Sequence, residues 1–214
     1  MTPAQRPEDT ERAWWLRTLL VLQAPRSVFA AFEDDSEATA SARQEPVTAI
    51  VFLAGVAIAL AAARDAALLD DPTFDGVLVA VWAVAAGGVQ GLFAYWLLGA
   101  AVYAGVSALG SGASFKRARH LLAYAAAPLA FALFVVWPVR LAAFGGDPFR
   151  AGGSDKGSGA LALDVLEGAV YVWFGILLVL GVRVQHGWSW GRSLAACGFA
   201  AGLTLAVAVA FGVL

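Results

Sequence analysis

The sequence predicts an all-α protein: a polytopic membrane helix bundle of five transmembrane helices, preceded by a short N-terminal amphipathic, interfacial helical region. Three observations carry this. Of 214 residues, 60% are hydrophobic and 14% are charged, whereas a soluble domain carries about 25% charged residues. The apolar residues gather into five long runs separated by turn-forming residues. The basic residues crowd the segments that alternate to one side of those runs. So little charge cannot coat a water-facing surface, which excludes a soluble enzyme, a disordered chain and a nucleic-acid binder.

The N-terminal region, residues 1–46, comes first. Residues 10–23 read as a helix with Thr10 as its cap. Trp14, Trp15, Leu16, Leu19, Leu20 and Leu22 lie on it beside Glu11 and Arg17. Pro25 restarts a short helix through Phe32 that brings Val28, Phe29 and Phe32 together. Trp and Leu beside Arg suit a helix lying among lipid headgroups; capping one end of the bundle fits the pattern equally. Residues 33–45 are polar and acidic and read as a flexible linker. The first twelve residues are too polar for a secretory signal.

The transmembrane domain, residues 47–214, follows. About 20 residues of helix cross a bilayer core ~30 Å thick, so runs 47–63, 121–144, 161–182 and 194–214 each predict one span. The run 77–109 would be roughly 50 Å long as one helix, yet two spans and a turn would need about 40 residues. One long helix is predicted there, with Gly87 and Gly88 as a kink site. Asp70-Asp71-Pro72, Gly110-Ser111-Gly112, Gly145-Gly146-Asp147-Pro148 and the glycine-rich stretch 152–159 mark loops. No internal repeat is evident.

Charge sets the expected orientation. With the N-terminus inside, the cytoplasmic segments hold Arg6, Arg12, Arg17, Arg26, Arg43, Lys116, Arg117, Arg119, Arg183 and Arg192, ten in all. The opposite side holds Arg64, Arg140, Arg150 and Lys156. The two cytoplasmic loops lack acids, while Asp65, Asp70, Asp71 and Asp75 crowd the first outer loop. The expectation is N-terminus in and C-terminus out. Twelve arginines against two lysines, with abundant alanine, fit a GC-rich bacterial coding sequence and hence the bacterial inner membrane.

Few residues could carry chemistry. Ionisable groups in spans are costly, so Asp164 and Glu167, three residues apart on one face of the fourth span, invite a function. Arg140 and Arg64 are their natural partners. A cation or proton site is one reading; their place near span boundaries favours a charge cluster that locks helix ends together. Gln90 is the only amide in the second span, suited to a pathway or, more commonly, to an interhelical hydrogen bond. Gly87 with Gly91 and Gly198 with Gly202 form small-xxx-small pairs for close helix packing. Pro128 and Pro138 predict bends in the third span. Lys116, Arg117 and Arg119, with His120, form a basic cluster suited to anionic lipid or a protein partner. His186 with Trp188 and Trp190 reads as an interfacial anchor.

Cys197 is single and reads as a packing residue. The histidines lack ligand spacing, so no metal or cofactor is expected. No HExxH, nucleophile elbow or phosphate-binding glycine loop is present, and no enzymatic activity is expected.

Leu22-Gln23-Ala24-Pro25, Val28-Phe29, Pro46 at the first span, and the basic loop leading into Leu122-Ala123-Tyr124-Ala125-Ala126-Ala127-Pro128-Leu129 together resemble the Yip family of Rab-interacting membrane proteins, in its bacterial branch. The resemblance runs from about residue 19 to 214. It implies five spans and a cytoplasmic N-terminus and, for eukaryotic members, association with vesicle trafficking, prenylated small GTPases and other membrane proteins. The eukaryotic Asp-Leu-Tyr-Gly-Pro segment is reduced here to Leu22-Gln23-Ala24-Pro25, so the GTPase association is not carried over; neither is any catalytic residue.

The function expected is a non-enzymatic scaffold or organiser in a membrane. Its expected partners are the bilayer, anionic lipid, and a second copy or another membrane protein. The alternative is a small transporter or channel lined by Arg140, Asp164, Glu167 and Gln90. A third reading, a lipid-binding groove, would need kinked helices near Pro128.

Overall fold

The computed structural model describes residues 7–34 and 36–210. Among them every regular element is helical: α1 (Pro7–Leu20), α2 (Pro25–Ala30), α3 (Glu37–Ala42), α4 (Gln44–Asp65), α5 (Gly76–Ala108), α6 (Phe115–Ala125), α7 (Ala127–Phe144), α8 (Ser158–His186) and α9 (Trp190–Ala210). Short 3-10 turns follow α2 and sit in the loops at Leu68–Asp70 and Asp147–Phe149. Five stretches are long and apolar enough to cross a membrane: Glu37–Asp65, Gly76–Ala108, Phe115–Phe144, Ser158–His186 and Trp190–Ala210. The most apolar window of the third is 67% buried by protein and that of the fifth 17%. The third span is therefore a core element, and α9 is mostly exposed.

Several boundaries differ from the sequence reading. The described part of the first helix runs from Pro7, so Thr10 lies within the helix and not at its cap. The linker 33–45 is not extended but holds α3. There Ser36 caps the helix by accepting from the Thr39 backbone N–H at 3.4 Å, and Asp34 accepts from the Thr39 hydroxyl at 2.7 Å and the Ser36 N–H at 3.0 Å. The Thr39 bond, and after it the Ser36 N–H, hold the Asp34 carboxyl below its usual range. The long second run is one helix, as expected. The third span is broken at Ala126, so Pro128 lies in the first turn of α7, where its missing N–H costs nothing. Of the third span's two prolines, Pro138 lies in the interior of α7 and Pro128 does not, so a Pro128 bend inside a continuous helix is not what forms. Residues 211–214 of the fifth span, and Arg6, lie outside the described residues.

The helices contribute to two compact units: Met1–Ala49, Ala94–Ala125 and Gly175–Leu214 in their described parts, and Ile50–Phe93 with Ala126–Phe174. In the first unit the N-terminal helices fold onto α6. Trp14, Phe29, Phe32 and Tyr124 are fully buried. Phe32 and Tyr124 meet edge to face at 5.3 Å, as do Trp14 and Tyr124 at 5.8 Å, the geometry that ring quadrupoles favour. The Tyr124 hydroxyl donates to the Trp14 carbonyl at 3.1 Å, joining α6 to α1 across 110 residues of sequence. Tyr124→Phe is expected to cost about 1 kcal/mol and to speed amide exchange in α1 more than elsewhere. Uniform exchange rates between the two proteins would show that this bond does not hold α1 down.

In the second unit α4 and α5 cross through glycine. A Cβ added at Gly55 would collide with the Gly87 carbonyl and lie 2.7 Å from the Gly91 Cα. Gly91 in turn leaves no room above the Val51 carbonyl, and Gly88 none beneath the Phe52 ring. A second contact area gathers Ala61, Ala63, Val79, Trp137 and Phe149, with the Trp137 and Phe149 rings stacked at 5.9 Å. The loops that follow α4 and α7 are tied together. Arg150 donates to the Leu69 carbonyl at 3.2 Å, and the Ala151 N–H donates to Asp70 at 2.8 Å. The Ser154 hydroxyl and N–H both donate to Asp147, which keeps that carboxyl below its usual range.

Candidate functional site

Four of the polar residues singled out in the sequence come together. Arg64 occupies the last turn of α4, where the carbonyl ends of the helix favour a cation. Arg140 lies one turn before the end of α7, and Asp164 and Glu167 lie one turn apart on α8. Arg64 Nη1 reaches Asp164 Oδ1 and Glu167 Oε2, both at 3.0 Å. Arg140 Nη2 reaches the same two oxygens, at 2.7 Å and 3.4 Å. Each carboxylate oxygen is shared by two guanidinium groups, so the four side chains close a ring of alternating sign. Asp65 approaches Arg64 from outside the ring at 3.4 Å.

Burial grades the ring. The Arg140 side chain is 1% exposed and Glu167 11%, but Asp164 is 50% exposed. The Arg140–Glu167 edge therefore sits where a lone charge is expensive, while the Asp164 side is open to solvent or headgroups. The two arginines and two carboxylates cancel. Each carboxylate faces two cations and each arginine two carboxylates, so the four groups are engaged with one another. The ring can join α4, α7 and α8, and this is what its geometry does. Among the described residues no group of three or more His, Cys, Asp or Glu side chains could hold a metal ion.

Gln90 stands apart from this ring, exposed on α5. Gly87 and Gly91 are buried in the α4–α5 crossing, against Gly55. Gly55 was not singled out in the sequence, although Gly55 with Ala59 is itself a small-xxx-small pair in the first span. A Cβ added at Gly198 or Gly202 would meet nothing within 4 Å among the described residues. The packed face of α9 is Ser193, Ala196 and Ala200, with Gly105 of α5 against the Ala196 carbonyl. The glycines of α9 lie on other faces, so they do not pack within the chain.

The basic cluster of α6 divides. Lys116 is exposed. Arg117 donates to the Glu33 carbonyl at 3.4 Å. Arg119 is 8% exposed, with its guanidinium 3.5 Å above the Trp96 ring and 4.7 Å from Phe115. A guanidinium stacked this way is stabilised by the ring faces, so Arg119 packs among aromatic rings. His120 is fully buried, with Nε2 3.4 Å from the Gln44 side-chain oxygen. Arg43, counted in the sequence only as a topogenic charge, is fully buried with its guanidinium 4.7 Å from Phe32 and 5.1 Å from Trp14. At the end of α8, His186 and Trp188 pack at 4.6 Å and Arg192 covers Trp188 at 4.1 Å, an aromatic and basic grouping.

Comparison with known proteins gives one family. The model for the Yip1 domain matches residues 19–212. No curated protein and no solved structure matches the chain. The matched region runs from the end of α1 through all five candidate spans and takes in Phe29, Phe32 and Tyr124, the residues that fasten the N-terminal helices to α6. The chain is thus a member of the Yip1-domain family, a polytopic helical membrane protein.

Proposed function

We propose that the chain is a non-enzymatic membrane scaffold, which holds a folded N-terminal platform against the cytoplasmic face of a bacterial inner membrane. The observation that carries this reading is the two-sided character of α1. Trp14 and Thr18, with Val21 just after the helix, are buried, while Trp15, Leu16, Leu19 and Leu20 remain exposed on the other side. A tail serving only to begin the first span would have no need of a folded, anchored apolar surface. That surface suits the headgroup layer and the proteins that gather there. Orientation with this platform inside follows from ten basic residues on that side against four on the other.

A transporter or channel would need polar groups along a path. Arg64, Arg140, Asp164 and Glu167 are instead engaged with one another, and Gln90 faces away on α5. Both observations support the scaffold. The test is flux of protons, monovalent cations and a fluorescent anion into liposomes holding the purified chain. Flux no higher than in empty liposomes is expected. Flux abolished by Asp164→Asn with Glu167→Gln would overturn the scaffold in favour of a conduit through that pair.

A further inference from the structure

Gln90 is misplaced for a helix that faces only lipid. α5 carries no charged residue, and Gln90 is its one amide. It lies 14 residues after Gly76 and 18 before Ala108, hence roughly 21 Å and 27 Å along the axis from the two ends. The helix is about 48 Å long and a bilayer core ~30 Å thick, so every placement of the core along α5 leaves Gln90 inside it. A tilted helix runs a longer path through the core, which only strengthens this. The side chain is nevertheless exposed at the protein surface, and none of the hydrogen bonds of the described residues involves it. Its N–H groups and carbonyl would face hydrocarbon, which an amide avoids at a cost of several kcal/mol. With the core centred on the helix, Gln90 lies roughly 12 Å from the nearer boundary, beyond the reach of its side chain.

We infer that a second copy of this chain covers this face of α5, with the two Gln90 amides hydrogen-bonded to each other across a two-fold axis along the membrane normal. Three features choose a second copy over other occupants. A primary amide both donates and accepts, so it complements itself and two of them can pair reciprocally. Copies inserted in the same orientation carry Gln90 at the same depth, which no unrelated partner need do. A two-fold contact places identical residues opposite one another at the axis. The surroundings fit. Val89 and Phe93 are exposed beside Gln90, and half-covered Ala86, one turn away on the same stripe, is small enough for two helices to approach. The inference rests on α5 spanning the bilayer and not on the scaffold role, so either can fail without the other.

The test uses the full chain, purified and reconstituted in phosphatidylcholine liposomes at a series of protein-to-lipid ratios. Association is read by energy transfer between two labelled populations. Wild type is expected to associate, and Gln90→Leu to shift the midpoint about 5- to 30-fold toward higher protein density. Gln90→Asn should retain part of the association. In a Cys197→Ser background, Val89→Cys and Phe93→Cys should form disulfide dimers on oxidation, whereas Val172→Cys on α8 should not. Because Gln90 is exposed and makes no side-chain hydrogen bond within its own chain, Gln90→Leu should melt like wild type, which separates lost association from lost folding. A monomer at every density, or association unchanged in Gln90→Leu, would overturn the inference. So would cross-links from these positions that form only in native membranes and only to a different protein.

Discussion

Arg140→Met is expected to lower the stability of the folded chain by about 3 kcal/mol, the low end of the range for breaking a buried ion pair by removing one partner. The low end applies because Glu167 would keep its 3.0 Å contact with Arg64. The loss arises mainly on the Glu167 side, where the carboxylate is 11% exposed; Asp164 is half exposed and can turn to water or headgroups. Two further proteins separate charge from packing. Adding Glu167→Gln to Arg140→Met should restore part of the stability, because the stranded charge is then gone. Arg140→Lys should recover less than charge alone would allow, because the side chain is 1% exposed and a strongly hydrated ammonium is costlier to bury than a guanidinium. Thermal unfolding in detergent checks all three. An Arg140→Met protein melting with wild type would mean that the ring contributes nothing to joining α4, α7 and α8.

Gly55→Ile is the second change with a large expected effect, about 3 kcal/mol or more through overpacking. The neighbours of Gly55 are backbone atoms, the Gly87 carbonyl and the Gly91 Cα and N, and backbone cannot step aside as a flexible side chain can. Accommodation would require α4 and α5 to separate, with loss of the contacts that Val51, Phe52 and Ala59 make to Gly91, Gly88 and Gly87. Gly198→Ile, at a position with open space around it, is the matched control and should melt within about 0.5 kcal/mol of wild type. Equal melting of the two proteins would refute the glycine crossing.

The spans were legible because a 20-residue apolar run has few alternatives once a bilayer is the solvent. The ion ring was legible for a related reason: charges in spans are scarce, so Asp164, Glu167, Arg140 and Arg64 had few partners but each other. What stayed hidden depended on which face a residue turns. α3 lies in a polar, acidic segment whose composition resembles a linker, and only the Asp34–Ser36–Thr39 hydrogen bonds make it a helix. Arg43 and Arg119 look like surface charges in sequence, yet aromatic rings from distant helices cover them. Gly55 and Gly198 sit in similar small-residue patterns. Which of them packs depends on helix rotation, and apolar residues on every side of a span leave that rotation unmarked.

The ion ring and the glycine crossing also differ in when they can form during synthesis. α4 and α5 are consecutive, joined by the segment 66–75, so Gly55, Gly87 and Gly91 can meet as soon as both helices are in the membrane. Arg64 precedes Asp164 by 100 residues, roughly 5–20 s of chain elongation. Throughout that interval Arg64, and later Arg140, must sit in the bilayer rim without the carboxylates that will neutralise them. The nascent chain therefore has a period of vulnerability that ends only when α8 arrives, and any factor that shields exposed arginines at the membrane surface would act then.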